Sequence, residues 1–242
     1  MIRFIAAVWA LLLLAGPAGA AVYGGFEDYA DSGSLKPFTR DLGSLLGAAT
    51  FHSARPLGFS GWDLGVRMGA QFYPHKNDRI LRNNGVRAFG LPWIQAEIGM
   101  PYRFDGFIRG MSYEGLAIAG GGLRYGLLKS SDKPWAPQLL ISVAAHSVVH
   151  QSFSASHAGG SLVYSMGTPR LSPYVGLGLD RTRLVVRSSK LDPSLNGSEV
   201  TTLESRFTGG LSVRLWTFGY VNAAYTAAHG QSGAEAGLGL RF

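Results

Sequence analysis

The sequence has no cysteine, which excludes disulfides and thiolate metal sites and is compatible with an oxidising compartment such as the periplasm. Charge is scarce too: Asp, Glu, Lys and Arg make up 15% of the residues against 46% hydrophobic. Yet beyond the first residues no stretch approaches the roughly 20 consecutive apolar residues of a membrane helix. The apolar residues come singly, mostly at every second position. That spacing excludes a helical membrane protein and suits strands whose two faces meet different surroundings. A concentrated basic patch is also missing. The net charge is +7 and the pI about 9.8, but Arg67, Arg109, Arg124, Arg181, Arg206, Arg214 and Arg241 are spaced singly along alternating segments. Nucleic-acid binders cluster their cations, so no nucleic-acid partner is expected. Lumen and rim positions, or contact with anionic lipid headgroups, account for the charge.

Glycine, by contrast, is plentiful, at 34 residues. It weakens an ordinary strand, but inside a narrow barrel it makes room for large side chains arriving from the opposite wall. Residues 1–20 read as a cleaved signal peptide: Arg3 supplies the positive start, 4–15 are apolar, Pro17 breaks any helix, and Ala18-Gly19-Ala20 offers small residues at the cleavage site. No cysteine follows, which excludes a lipoprotein anchor. Export through the inner membrane to the outer membrane is the expectation.

Residues 21–58 do not alternate. Leu35, Phe38, Leu42, Leu45 and Leu46 recur at three- and four-residue spacing, which predicts an amphipathic helix over 35–48. Ser34 is the expected cap, with Pro37 in the first turn. Such a helix is too short and too polar to cross a membrane. It is either a plug or lid, in the lumen or across the periplasmic mouth, or a lead-in beneath the barrel.

Residues 59–242 repeat one pattern. In 233–242, Ala234, Ala236, Leu238, Leu240 and Phe242 share one face, and Gly233, Glu235, Gly237, Gly239 and Arg241 the other. In 203–215, Leu203, Phe207, Leu211, Val213 and Leu215 alternate with Glu204, Arg206, Thr208, Gly210, Ser212 and Arg214. In 62–73, Trp62, Leu64, Val66, Met68, Ala70 and Phe72 alternate with Asp63, Gly65, Arg67, Gly69, Gln71 and Tyr73. A soluble β-sandwich alternates as well. A polar face that mixes glycine with single charges of both signs instead fits a filled lumen, with the apolar face toward lipid. Aromatics near segment ends (Trp62, Tyr73, Trp93, Trp135, Trp216, Phe218) suit interfacial girdles. The expected fold is all-β: a transmembrane antiparallel up-and-down β-barrel of about ten strands, with eight to twelve as limits. The expected strands are 61–73, 92–100, 103–111, 115–128, 137–149, 153–166, 171–187, 200–215, 218–228 and 233–242. With both barrel ends periplasmic, the two longest connections, 74–91 and 188–199, fall outside.

The expected lumen-lining charges are Asp63, Arg67, Glu97, Arg124, Glu204, Arg206, Arg214, Glu235 and Arg241. Unpaired charges in a dry interior are costly, so neutralising ion pairs are expected there rather than a conducting pathway. His146, His150 and His157 lie close in sequence, but their strand positions are not expected to converge on a metal. Asp192, Asn196 and Gly197 bring too few oxygens together for calcium, and Gly120-Gly121-Gly122 lacks the lysine and helix of a phosphate cradle. No cofactor, metal or catalytic residue is expected.

Three resemblances extend this reading. The last ten residues, an alternating strand closing in Phe242, resemble the C-terminal signature of Gram-negative outer-membrane proteins. That resemblance implies recognition by the barrel-assembly machinery. His150-x-Ser152 is similar to the His-x-Ser of outer-membrane lipid A deacylases, which cut an acyl chain and need an acid to orient the histidine. Between Glu114 and Asp180 the only acid here is Asp132. The helical stretch ahead of the barrel, with Gly99-Met100-Pro101, resembles outer-membrane transporters for long-chain fatty acids and other hydrophobic compounds, and implies a possible small hydrophobic ligand. The first expectation is a non-enzymatic outer-membrane barrel in contact with outer-membrane lipid, serving envelope structure or a narrow gated passage. A transporter of small apolar compounds and a lipid-modifying enzyme are the alternatives.

Overall fold

A computed structural model describes residues 22–131, 133–168 and 170–242; the leader expected at 1–20 lies outside the described residues. Period-two alternation becomes ten strands: β1 Trp62–Gln71, β2 Phe89–Gly99, β3 Phe104–Tyr113, β4 Leu116–Gly126, β5 Gln138–Val149, β6 Phe153–Ser165, β7 Leu171–Val186, β8 Glu199–Arg214, β9 Gly219–Ala228 and β10 Gln231–Arg241. Each pairs antiparallel with the next. β10 closes on β1 in a register running from Asp63↔Arg241 to Gln71↔Gly233. This is the up-and-down barrel that the alternation predicts, and closure leaves no sheet edge at the seam.

The outward face decides between barrel and sandwich. Leu64, Val66, Ile94, Ile108, Val143, Leu177, Leu179 and Leu203 are between 51% and 70% exposed on the outside of the wall. A soluble sandwich would bury that face. Trp62, Tyr73, Trp135, Trp216 and Phe218 are exposed near strand ends.

The two mouths differ. At the near mouth β1 begins and β10 ends. At the far mouth the chain makes two long connections, 72–88 and 187–198, and three tight turns. Two of those turns, Glu114-Gly115 and His229-Gly230, have φ of 49° and 80°, and 42° and 80°. Positive φ at both central residues is the hairpin geometry that follows the strand twist, and it needs glycine second.

Among the described residues three α-helices precede or interrupt the strands: α1 Phe26–Tyr29, α2 Ser32–Gly47 and α3 Arg79–Asn83. The cap of α2 differs from expectation. Asp31 is the N-cap, accepting from the Ser34 N–H at 2.8 Å, while the Ser34 hydroxyl accepts from the Asp31 N–H at 3.0 Å. This reciprocal capping box starts the helix three residues early and places Pro37 beyond the first turn.

The path of residues 22–61 is the main surprise. The Val22 N–H donates to Glu114 at 2.6 Å, and the Asn84 amide to the Val22 carbonyl at 3.2 Å, so this segment begins at the far mouth. α2 then descends inside the barrel. Residues 48–57 continue through the lumen, and at the near mouth the Ser60 N–H reaches the Gly99 carbonyl at 3.2 Å before β1 begins. The segment therefore threads the barrel from end to end.

Candidate functional site

The lumen holds nearly all the buried chemistry, and its two halves are built differently. In the far half the wall is apolar. Leu91, Trp93, Leu116, Ile118, Val148, Phe153, Leu184 and Val186 point inward, against Phe26, Leu35, Phe38, Leu42, Leu45 and Leu46 of the threaded segment and Ile80 and Leu81 of α3. Phe38 and Phe153 meet edge to face at 5.3 Å between ring centroids, and Phe26 and Phe153 lie 4.7 Å apart. The expectation that inward positions are polar or small fails here. A helix pairs its own backbone and offers an apolar stripe, so the wall around it must be apolar as well. Trp93, expected in a girdle, is 1% exposed and lies inside, under the Arg109 guanidinium at 4.0 Å.

The near half carries the charges. Below α2 the threaded chain is no longer helical, and its backbone groups find partners in the wall. Arg109 donates to the carbonyls of Leu46 and, at 2.8 Å, Ala48. Arg67 donates to Ala49 at 3.3 Å and Arg124 to Thr50. Arg241 reaches Arg55 at 3.3 Å and Pro56 at 2.7 Å. In return, Ser165 accepts from the Ala54 N–H at 3.0 Å, and Asp105 from that of Leu57 at 3.0 Å. A buried backbone group without a partner is costly, so the extended run requires this lining.

Glycine gives the segment its room. A Cβ at Gly47 would stand 2.6 Å from the Asp180 carboxylate, and one at Gly176 would stand 2.4 Å from the Phe51 ring. At these two positions the space serves the contact between threaded chain and wall; at Gly210 and Gly239 it serves the Tyr174 and Tyr220 rings of neighbouring strands.

Of the expected lumen charges, Asp63, Arg67, Glu97 and Arg124 form one cluster. Arg67 meets Glu97 at 2.5 Å and Asp63 at 3.8 Å, and Arg124 donates to the same Glu97. Arg206 pairs with Asp180 at 2.8 Å, and Glu235 accepts from Thr208 at 3.4 Å. Glu204 sits higher, half-buried, and holds Arg40 of α2 at 2.6 Å. Arg214 is a correction: at the last position of β8 it is exposed at the near rim, past the depth at which the lumen encloses a side chain. Leu35, Phe38, Leu42, Leu45 and Leu46 are all buried on α2.

Sequence reasoning missed Asp105, Arg109, Asp180, His52 and Tyr220. Asp105, Arg109, Asp180 and Tyr220 sit on the inward parity of their strands and could have been read from it. His52, on the threaded run and stacked on Tyr220 at 4.1 Å, follows no such rule.

Two arrangements bear on metal and catalysis. His52, Asp63 and Glu97 bring ligand atoms within 4.8 Å of one another. Arg67 Nη2, however, stands 3.1 Å from His52 Nδ1 and 2.5 Å from Glu97, where a cation would sit. His146 and His157, expected not to converge, are register partners with rings 5.5 Å apart. Arg109 donates to His146 Nε2 at 2.7 Å and occupies that lone pair. As for His150 and Ser152, the acid that the neighbouring strands lack comes from α1. It meets the serine, however: the Ser152 hydroxyl donates to Glu27 at 3.2 Å, while His150 Nδ1 faces the Ser152 backbone N–H at 3.3 Å. Both residues are buried, and the Ser152 hydroxyl is turned to Glu27 rather than to the imidazole.

A polar latch ties α2 to the far-mouth connections. Asp41 accepts from Gln71 at 2.8 Å, from the His75 N–H at 2.7 Å and from His229 at 2.7 Å. Asp78 caps α3 through the Leu81 N–H at 3.1 Å. Burial, with the neighbouring Asp41 carboxylate, pushes the Asp78 carboxyl up to about 9. Burial pushes the His229 imidazole down to about 4.

No known protein family matches the chain, and no curated protein is similar to it in sequence. Among solved structures it is similar to the N-terminal β-barrel domain of OprF from Pseudomonas aeruginosa, at 14% identity and TM-score 0.41 over 76% of this chain and 99% of that one. It is also similar to Neisserial surface protein A, at 15% identity and TM-score 0.31 over 75% and 95%. The outer membrane enzyme PagL is similar at 11% identity and TM-score 0.29 over 74% and 98%. These likenesses are partial and lend this chain no role.

Proposed function

We propose that this chain is a sealed outer-membrane β-barrel with an envelope-structural role, non-enzymatic, its lumen closed by its own N-terminal segment. The carrying observation is the threaded run 46–57, whose carbonyls are held by Arg67, Arg109, Arg124 and Arg241 while α2 fills the apolar half above. The apolar outer wall supports a lipid environment. With the near mouth periplasmic, the long connections 72–88 and 187–198 face outside, as outer-membrane barrels place them. The apolar lining of the far half is taken up by Phe26, Phe38 and Leu42, which disfavours a hydrophobic ligand in that space.

Planar-bilayer recording tests this reading. The full chain should show no conductance steps, and a variant lacking residues 22–57 that still refolds should conduct. Regular steps from the full-length protein would overturn a sealed lumen.

A further inference from the structure

The outer wall carries a groove along one side. Across β6, β7 and β8, successive outward rungs are Leu162–Leu177–Phe207, Gly160–Leu179–Ser205 and Ala158–Arg181–Leu203. The small side chains at Gly160 and Ser205 leave a furrow beside Leu179, within a groove of about 800 Å³ that reaches the far-mouth turn at His229. A Cβ at Gly160 would meet nothing nearer than the Ser142 carbonyl at 3.9 Å, so the furrow is open.

One rung beyond, toward the far mouth, stands Arg181. Its side chain is exposed and has no ion-pair partner among the described residues. Arg183 on the next rung is tied to Glu199 at 2.5 Å. Successive outward residues of a strand lie about 7 Å apart, so a free guanidinium caps an apolar furrow at short range. The rim at this mouth adds the exposed Lys76, Arg82, Arg87 and Arg187. An apolar channel ending in a cation complements an amphiphile with an acyl chain and an anionic head, and a guanidinium pairs best with phosphate oxygens.

We propose that β6–β8 bind one phosphorylated acyl lipid of the surrounding leaflet, with a chain in the Gly160/Leu179 furrow and a phosphate on Arg181. This rests on the membrane reading above. The test is native mass spectrometry of the full chain refolded in detergent micelles and titrated with lipid A. One lipid should be retained. Arg181→Glu, a change of two charge units, should weaken it about 25-fold, since each unit near an anionic lipid surface contributes about a factor of five. Gly160→Leu should weaken it by filling the furrow, and Lys129→Ala, exposed at the opposite mouth, should leave it unchanged. Equal retention by wild type and Arg181→Glu, or equal retention of dephosphorylated lipid A, would overturn the site. A chain that stays folded and monodisperse without detergent would sink the membrane reading itself, a separate outcome.

Discussion

The far and near halves of the lumen solve one problem in two ways. Both must hold a chain segment in a dry interior with no free backbone group. In the far half the segment is helical, so its backbone is already paired and the wall need only be apolar: Phe38 packs on Phe153 with no ion pair between them. In the near half the segment is extended, so its carbonyls need donors from outside, and the wall supplies arginines. Buried arginines in turn call for carboxylates: Glu97 is shared by Arg67 and Arg124, with Asp63 beside Arg67, and Glu235 lies near Arg109. The charged lining is thus a consequence of backbone chemistry in the segment it surrounds. A transport path is not needed to explain it.

The comparison can be broken at the near half first. Glu97→Ala leaves Arg67 and Arg124 buried without their shared carboxylate, which should cost about 3–5 kcal/mol. Denaturant unfolding in micelles, followed by tryptophan fluorescence, measures it. Amide exchange should rise over residues 48–57 while α2 stays protected; uniform exchange across both would erase the distinction between the halves.

At the far half, Phe38→Ala removes the ring shared by Tyr23, Phe26 and Phe153. The expected loss is about 3 kcal/mol, with exchange rising in α1 and the β5–β6 turn and the arginine cluster unaffected. A loss below about 1 kcal/mol would mean that apolar packing does not hold this half.

The smallest effect sharpens the boundary at the latch. The Asp78 carboxyl is raised from 3.8 to about 9, so the folded form favours its proton and this stabilisation declines as pH rises through that range. The His229 imidazole is lowered from 6.5 to about 4, so its contribution is complete above 6.5 and is lost as pH falls toward 4. The two trends oppose each other between about 4 and 6.5, and only the Asp78 decline remains above. Protection of α3, corrected for intrinsic exchange, should be level across the lower window and fall between pH 6.5 and 9. Asp78→Asn, which keeps the cap, should flatten that fall; an unchanged profile in the variant would remove Asp78 as its source.

Much of the barrel was legible. All ten strands fall close to the ranges read from alternation, because lipid on one side and a crowded interior on the other impose a period of two on every strand. Parity also placed Asp63, Arg67, Glu97, Arg124, Arg206 and Glu235 inward. It failed at Arg214, where facing inward at a strand's last residue means reaching a rim. It failed again at Trp93, where an apolar residue lies on the inner face and alternation no longer says which side is lipid. The helix was visible from its spacing, but Asp31, its cap, lay outside the periodic run.

The sequence alone determined that the chain makes alternating strands of membrane-barrel length, with turn residues between them and one amphipathic helix ahead, because these depend on each residue's own chemistry and its near neighbours. Only the tertiary structure decided that residues 22–61 enter at the far mouth and thread the lumen, and which arginines hold them there. The reason is physical: the partners of Arg109, Arg124 and Arg241 are backbone carbonyls, which every residue carries alike, so no side chain in the threaded run marks where a guanidinium will land.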